Sequence, residues 1–217
     1  NGGTGGAQSS GGAGPGSSGG AGAPEDAGAP MVNCVGQTPL ETYVSDPKLC
    51  VYVYAEDVNG ARGMAFASNG DLFVSNGGKL TVLWDADSNG KVANNERMTF
   101  ASASGLNHGV AFSRDEAFVY ASSGSTVYRW AYTKGLRMAS GAAQVVVKGI
   151  PDGGHSSRPL AFDSQGRLYV SVGSGGNLDQ AANDLELRSQ IRRFQLPSNV
   201  PAGGIAYNTG ELIASGM

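Results

Sequence analysis

Arg62-Gly-Met-Ala-Phe66, His108-Gly-Val-Ala-Phe112 and Arg158-Pro-Leu-Ala-Phe162 share one pattern, each followed by a short polar turn and a second apolar run. The starts lie 46 and then 50 residues apart, the period of a four-stranded blade rather than of a helical solenoid or a leucine-rich repeat. Alternation and turn residues divide each unit into four strands. In the first they span 63–67, 71–75, 80–84 and 97–101, with Asn69-Gly70 and Gly77-Gly78 as hairpin signals. The second unit gives 110–113, 117–122, 126–132 and 144–148, rich in β-branched and aromatic residues. The third gives 160–163, 167–172, 190–195 and 211–215, with an irregular insertion over 173–187. The pattern predicts an all-β protein, a β-propeller, with blades at about 61–106, 107–153 and 154–217. Ile205-Ala-Tyr207 imitates a repeat start, but counting it as one would leave the third unit a strand short.

Propellers close with at least four blades, so three blades read as about half of a larger ring and the chain as a fragment. Val51-Tyr-Val-Tyr54 alternates like a strand but belongs to no counted blade. It is expected to close the ring by pairing with a last blade that this chain does not hold, which would leave a long unpaired edge.

Residues 1–30 are almost entirely Gly, Ser, Ala and Pro, with Glu25 and Asp26 the charged residues there. Such a stretch cannot bury enough apolar surface to offset chain entropy and reads as a flexible tether. A chain opening on Asn1 within this tract reads as one whose leader has been removed. The expectation is an exported protein, periplasmic or at the cell surface, held off a membrane by its spacer through a lipid-bearing residue upstream. Cys34 and Cys50, the two cysteines, lie in the 31–60 segment that also holds the closing strand. A bridge between them would close a loop worth roughly 3 kcal/mol, the alternative being two unpaired thiols. A net charge of −3 without a basic patch gives no support for nucleic-acid binding.

Asp85-Ala-Asp87-Ser-Asn89-Gly90, with Glu96 after five more residues, fits the calcium-loop pattern in full. Calcium takes six to eight hard oxygens. Asp85, Asp87 and Asn89 would supply side-chain oxygens, Lys91 its carbonyl, Glu96 a bidentate carboxylate and Gly90 the sharp turn. The flanks are strands, so this would be a structural hairpin site away from the channel; the alternative is a solvated Asp/Asn/Gly turn.

Three segments carry a resemblance: 61–66, 106–112 and above all Gly154-His-Ser-Ser-Arg-Pro-Leu-Ala-Phe-Asp-Ser-Gln-Gly-Arg-Leu-Tyr-Val-Ser-Val-Gly-Ser-Gly-Gly-Asn177. Over residues 51–217 the chain resembles the soluble glucose/sorbosone dehydrogenase family. The first two segments also occur in non-catalytic propellers of the NHL type. The resemblance implies a six-bladed propeller and an exported quinoprotein that oxidises an aldose or related aldehyde at C1 with pyrroloquinoline quinone and calcium. His155 matches the family's general base. Imidazole, with an ordinary pKa of about 6.5, can take a hydroxyl proton near neutral pH; the plainer reading is a turn-capping histidine.

Arg62, His108 and Arg158 occupy equivalent repeat positions and should share a radius and a face. They would form a cationic rim at the channel mouth with His155, suited to an anionic quinone or to sugar oxygens, unless they only stabilise turns. Gly173-Ser-Gly-Gly-Asn-Leu is expected to line the channel, since no helix with Lys-Ser/Thr follows it as in a phosphate cradle. Trp84 and Trp130 are expected to pack between blades. Most of the family's quinone-contacting basic residues and its active-site calcium ligands would lie beyond Met217. The fragment is therefore expected to be inactive alone, lacking the other half of its propeller. The competing function is a non-catalytic exported propeller that binds a glycan or a protein.

Overall fold

Each copy of the repeat becomes the innermost strand of an antiparallel sheet in the computed structural model, which describes residues 37, 40, 49–176 and 186–216. The first sheet runs β1 (Ala61–Phe66), β2 (Leu72–Asn76), β3 (Lys79–Leu83) and β4 (Arg97–Ser102) in sequence order. The second runs β5 (Leu106–Phe112), β6 (Phe118–Ser123), β7 (Thr126–Ala131) and β8 (Gln144–Lys148). The third contains β9 (Leu160–Phe162), β10 (Leu168–Val172), β11 (Gln190–Phe194) and, after the two-residue β12 (Ile205–Ala206), β13 (Glu211–Ser215). These are three blades of a partial propeller.

Alternation puts one face of each strand into an inter-blade core. Phe73, Leu80, Val82 and Phe100 from the first sheet meet Val119, Ala121, Trp130 and Tyr132 from the second. The Phe73 ring stands edge-on to Phe100, Phe112 and Tyr132 at 5.0, 5.1 and 5.4 Å, the favoured aromatic geometry. Trp84 and Trp130 lie in this cluster as expected, with the Arg137 guanidinium 3.7 Å over the Trp84 ring. A second cluster, with Tyr120, Val146, Leu168, Val170, Phe194 and Tyr207, joins blades two and three. On blade one the face turned away from blade two leaves Met64 64% and Phe66 63% exposed, apolar surface of the kind a further blade would cover.

Gly63 and Gly109 let the inner strands approach. A Cβ on Gly63 would fall on the His108 carbonyl oxygen, and one on Gly109 on the Arg158 carbonyl oxygen. Ser122 completes the second junction: its hydroxyl donates to the Arg158 carbonyl at 2.7 Å and accepts from the Gly109 N–H at 2.8 Å.

Two segments lie outside the four-stranded pattern of the blades. Val51 to Tyr54 forms no strand; the Val51 carbonyl accepts from the Leu40 N–H, the Tyr54 carbonyl accepts from the Val92 N–H, and Ala55 makes an isolated bridge to Val92. The alternation is real, with Val51 and Val53 exposed and the two tyrosines half-buried, but a strand needs a continuous neighbour to complete its ladder, and among the described residues these contacts to Leu40 and Val92 do not extend into one. Ile205 and Ala206, read as an imitation of a repeat start, instead pair in parallel with Val147 and Lys148 as a fifth strand of the second sheet.

Candidate functional site

Antiparallel order sends the starts of β1, β5 and β9 and the β10–β11 connection to one end of the blades. The β1–β2, β5–β6 and β9–β10 turns and the β3–β4 connection lie at the other. His155, just ahead of β9, is exposed at the first end. Its N–H donates to the Ser174 carbonyl at 3.1 Å, and its Nδ1 lies 3.2 Å from the Ser174 hydroxyl. Glycines make the fit possible. A side chain on Gly154, at φ +58°, would come 2.6 Å from the Gly175 carbonyl oxygen, and one on Gly173 would come 3.0 Å from the His155 Cβ. Residues 173–176 thus stand beside His155, while Asn177 and the insertion as far as 185 lie outside the described residues.

The three repeat positions do not form one open rim. Arg62 is exposed. His108 is half-buried, and burial first, then Arg62 and Arg158, pull its pKa below the ordinary histidine value. Its Nδ1 and the Oδ1 of Asn107 are buried without hydrogen-bond partners among the described residues. Arg158 is fully buried and corrects the expectation that it binds ligand. Its guanidinium donates to the carbonyls of Gly124 at 2.9 Å, His155 at 2.7 Å, Ser157 at 2.7 Å and Pro151. Irregular backbone in the 151–157 loop leaves carbonyls without ladder partners, and a planar five-donor cation satisfies several at once. Burial, followed by the nearby Arg188, lowers the Arg158 pKa. Arg188 extends the clamp by donating to the carbonyls of Gly153, at 3.0 Å, and Asp152. Sequence reading missed Arg188 and Ser174 as individual residues, although Ser174 lies within the segment that carries the resemblance.

At the opposite end, the 85–96 loop gathers Asp85, Asp87 and Glu96 so that their ligand oxygens lie within 4.8 Å of one another. Ser88 at φ +57° and Gly90 at φ +83° fold the loop inward. Its carboxylates accept backbone N–H bonds: Asp85 from Asn89 and Gly90, Asp87 from Asn89, and buried Glu96 from Ala86 and Ala93. The Lys91 N–H donates to the Asn89 side chain at 2.8 Å. Among the described residues no ion pair reaches these three carboxylates. Cys50 is disulfide-bonded; Cys34 lies outside the described residues.

Residues 44–217 match the sequence model of the TrAA12-like family. The chain is 32% identical over 143 residues to a pyrroloquinoline quinone-dependent sugar dehydrogenase of Hypocrea jecorina, covering 62% of this chain and 33% of that protein. Among solved structures it is similar to a calcium form of the Trichoderma reesei family AA12 enzyme, at TM-score 0.64 and 27% identity, covering 74% of this chain and 41% of the other. It is also similar to the holo form of the pyranose dehydrogenase PQQ domain from Coprinopsis cinerea, at TM-score 0.63 and 25% identity, covering 72% and 38%. The chain spans less than half the length of each.

Proposed function

The chain belongs to the TrAA12-like family, and from that premise we propose that it forms part of a sugar dehydrogenase that uses pyrroloquinoline quinone and calcium to oxidise an aldose or related aldehyde at C1. The observation that carries this reading is His155, exposed at the inner-strand end and fixed to Ser174 through both its backbone and its ring. In this role His155 is the general base that takes the substrate hydroxyl proton. The quinone, when bound, supplies the two-electron acceptor. The described residues fit one wall of its site: exposed Arg62 offers a cation, and the unpartnered Asn107 Oδ1 and His108 Nδ1 offer hydrogen-bonding atoms. Arg158, turned into the protein, holds the His155 loop instead.

Calcium in the 85–96 loop belongs to the same proposal. The converging carboxylates of Asp85, Asp87 and Glu96 support it, as hard oxygen donors suited to that ion. An exported location, with the tether leading to a membrane surface, is supported by the disulfide at Cys50, since disulfides persist in oxidising compartments.

A full-length form supplied with quinone and calcium should reduce a dye in the presence of an aldose, and His155→Ala should lose that activity by at least about 10²-fold. A properly folded full-length protein without aldose-dependent turnover would leave a glycan-binding or protein-binding propeller as the better reading.

A further inference from the structure

We infer that Ser174 is a positioning residue that sets the tautomer of His155, a role that rests on reading His155 as the base. A serine hydroxyl has one hydrogen. That hydrogen is directed to the Gly176 carbonyl, 2.7 Å from the Ser174 Oγ. The same Oγ lies 3.2 Å from the His155 Nδ1, so at that contact it presents a lone pair. The contact is favourable only when Nδ1 carries a hydrogen and donates it. An unprotonated Nδ1 would set two lone pairs against each other, or force the hydroxyl off Gly176. The Ser174 contact therefore favours the neutral ring with its proton on Nδ1 and its basic lone pair on Nε2.

This is the form a base acting through Nε2 requires. After Nε2 takes a proton, Nδ1 keeps its hydrogen and the contact to Ser174 persists, so no regrouping accompanies the transfer. The serine is itself held. Its carbonyl accepts from the His155 N–H at 3.1 Å, and the Gly173 carbonyl accepts from the Ser189 N–H at 3.2 Å. Arg158 and Arg188 fix the other side of the histidine through the carbonyls of His155 and Gly153.

The chain has two histidines, so 15N labelling of histidine gives two ring systems to assign, with His108→Gln identifying which is which. With the ring in its neutral form, His155 should show a hydrogen on Nδ1 and none on Nε2. Ser174→Ala should move the proton towards Nε2, and Ser174→Thr, which keeps the hydroxyl, should restore Nδ1–H. In the full-length enzyme Ser174→Ala should lower kcat by about 10²-fold with KM unchanged, and Ser174→Thr should recover most of it. A wild-type His155 protonated on Nε2, or a tautomer unmoved by Ser174→Ala, would overturn the inference. The expected tautomer response combined with full activity in His155→Ala would instead overturn the base reading and leave the tautomer assignment standing.

Discussion

The 151–157 loop of blade three and the 85–96 loop of blade one solve the same problem with opposite charge. In the first, backbone carbonyls turn inward onto two guanidinium groups that the chain supplies, Arg158 and Arg188. In the second, backbone N–H groups turn inward onto three carboxylates, with no ion pair to them among the described residues. A loop wrapped around its own cation is electrostatically complete. A loop wrapped around carboxylates keeps a surplus of negative charge that an imported cation can neutralise. On the proposed reading, the contrast separates a loop that holds the candidate base His155 still from one that a bound cation would rigidify.

The comparison breaks most readily at Arg158. Arg158→Met takes the donor from the buried Gly124 carbonyl and from the partly buried contacts to Pro151, His155 and Ser157, and denaturant unfolding should register a loss of about 2–3 kcal/mol. A loss below about 1 kcal/mol would mean that water replaces the guanidinium and the loop is not cation-centred. For the 85–96 loop, calcium at about 100 times its dissociation constant should add about 2.7 kcal/mol of stability, seen as a raised thermal midpoint that a chelator reverses. Glu96→Gln should abolish the response, and an unchanged midpoint in the native protein would mark the loop as self-sufficient. Arg188→Met, at a half-buried position, should cost about 1 kcal/mol, which would rank the two members of the clamp.

The smallest effect concerns pH. Because the folded-state pKa of His108 lies below that of the unfolded chain, the unfolded chain takes up the proton first as pH falls. The stability that depends on a neutral His108 is thus fully present above about pH 6.5 and declines below it. Urea midpoints between about pH 8 and 5 should flatten in His108→Gln, and an unaltered slope would move the cause elsewhere.

What could be read in the sequence is what depends on neighbours along the chain. Alternation with Gly-containing turns located the four antiparallel strands of each blade but not β12, and the bounds of β8 and β13 coincide with those read from residues alone. β5 starts at Leu106, earlier than expected, through a bulge between Leu106 and Val110 that brings His108 against Gly63 of the next blade, a contact no local pattern encodes. The repeat located the Cα of Arg158 but not its side chain, because a long guanidinium goes where carbonyls lack partners. Those carbonyls belong to Gly124 and to the loop ahead of β9. The Asp85 motif was legible because its donors are spaced within one loop. The His155–Ser174 pair was only half legible: the histidine stood out by type, whereas its serine partner acquires a role only through a contact across 19 positions of chain.

The parallel pairing of β12 with β8 bears on how the molecule comes apart. The connection leading to the last strand of blade three is stitched to the outer edge of blade two, so blade three cannot peel away without tearing a ladder in its neighbour. Hydrogen exchange should find Val147, Lys148 and the third sheet opening together as one cooperative unit. Blade one, whose outermost strand pairs only with β3 among the named strands, should open as a separate unit.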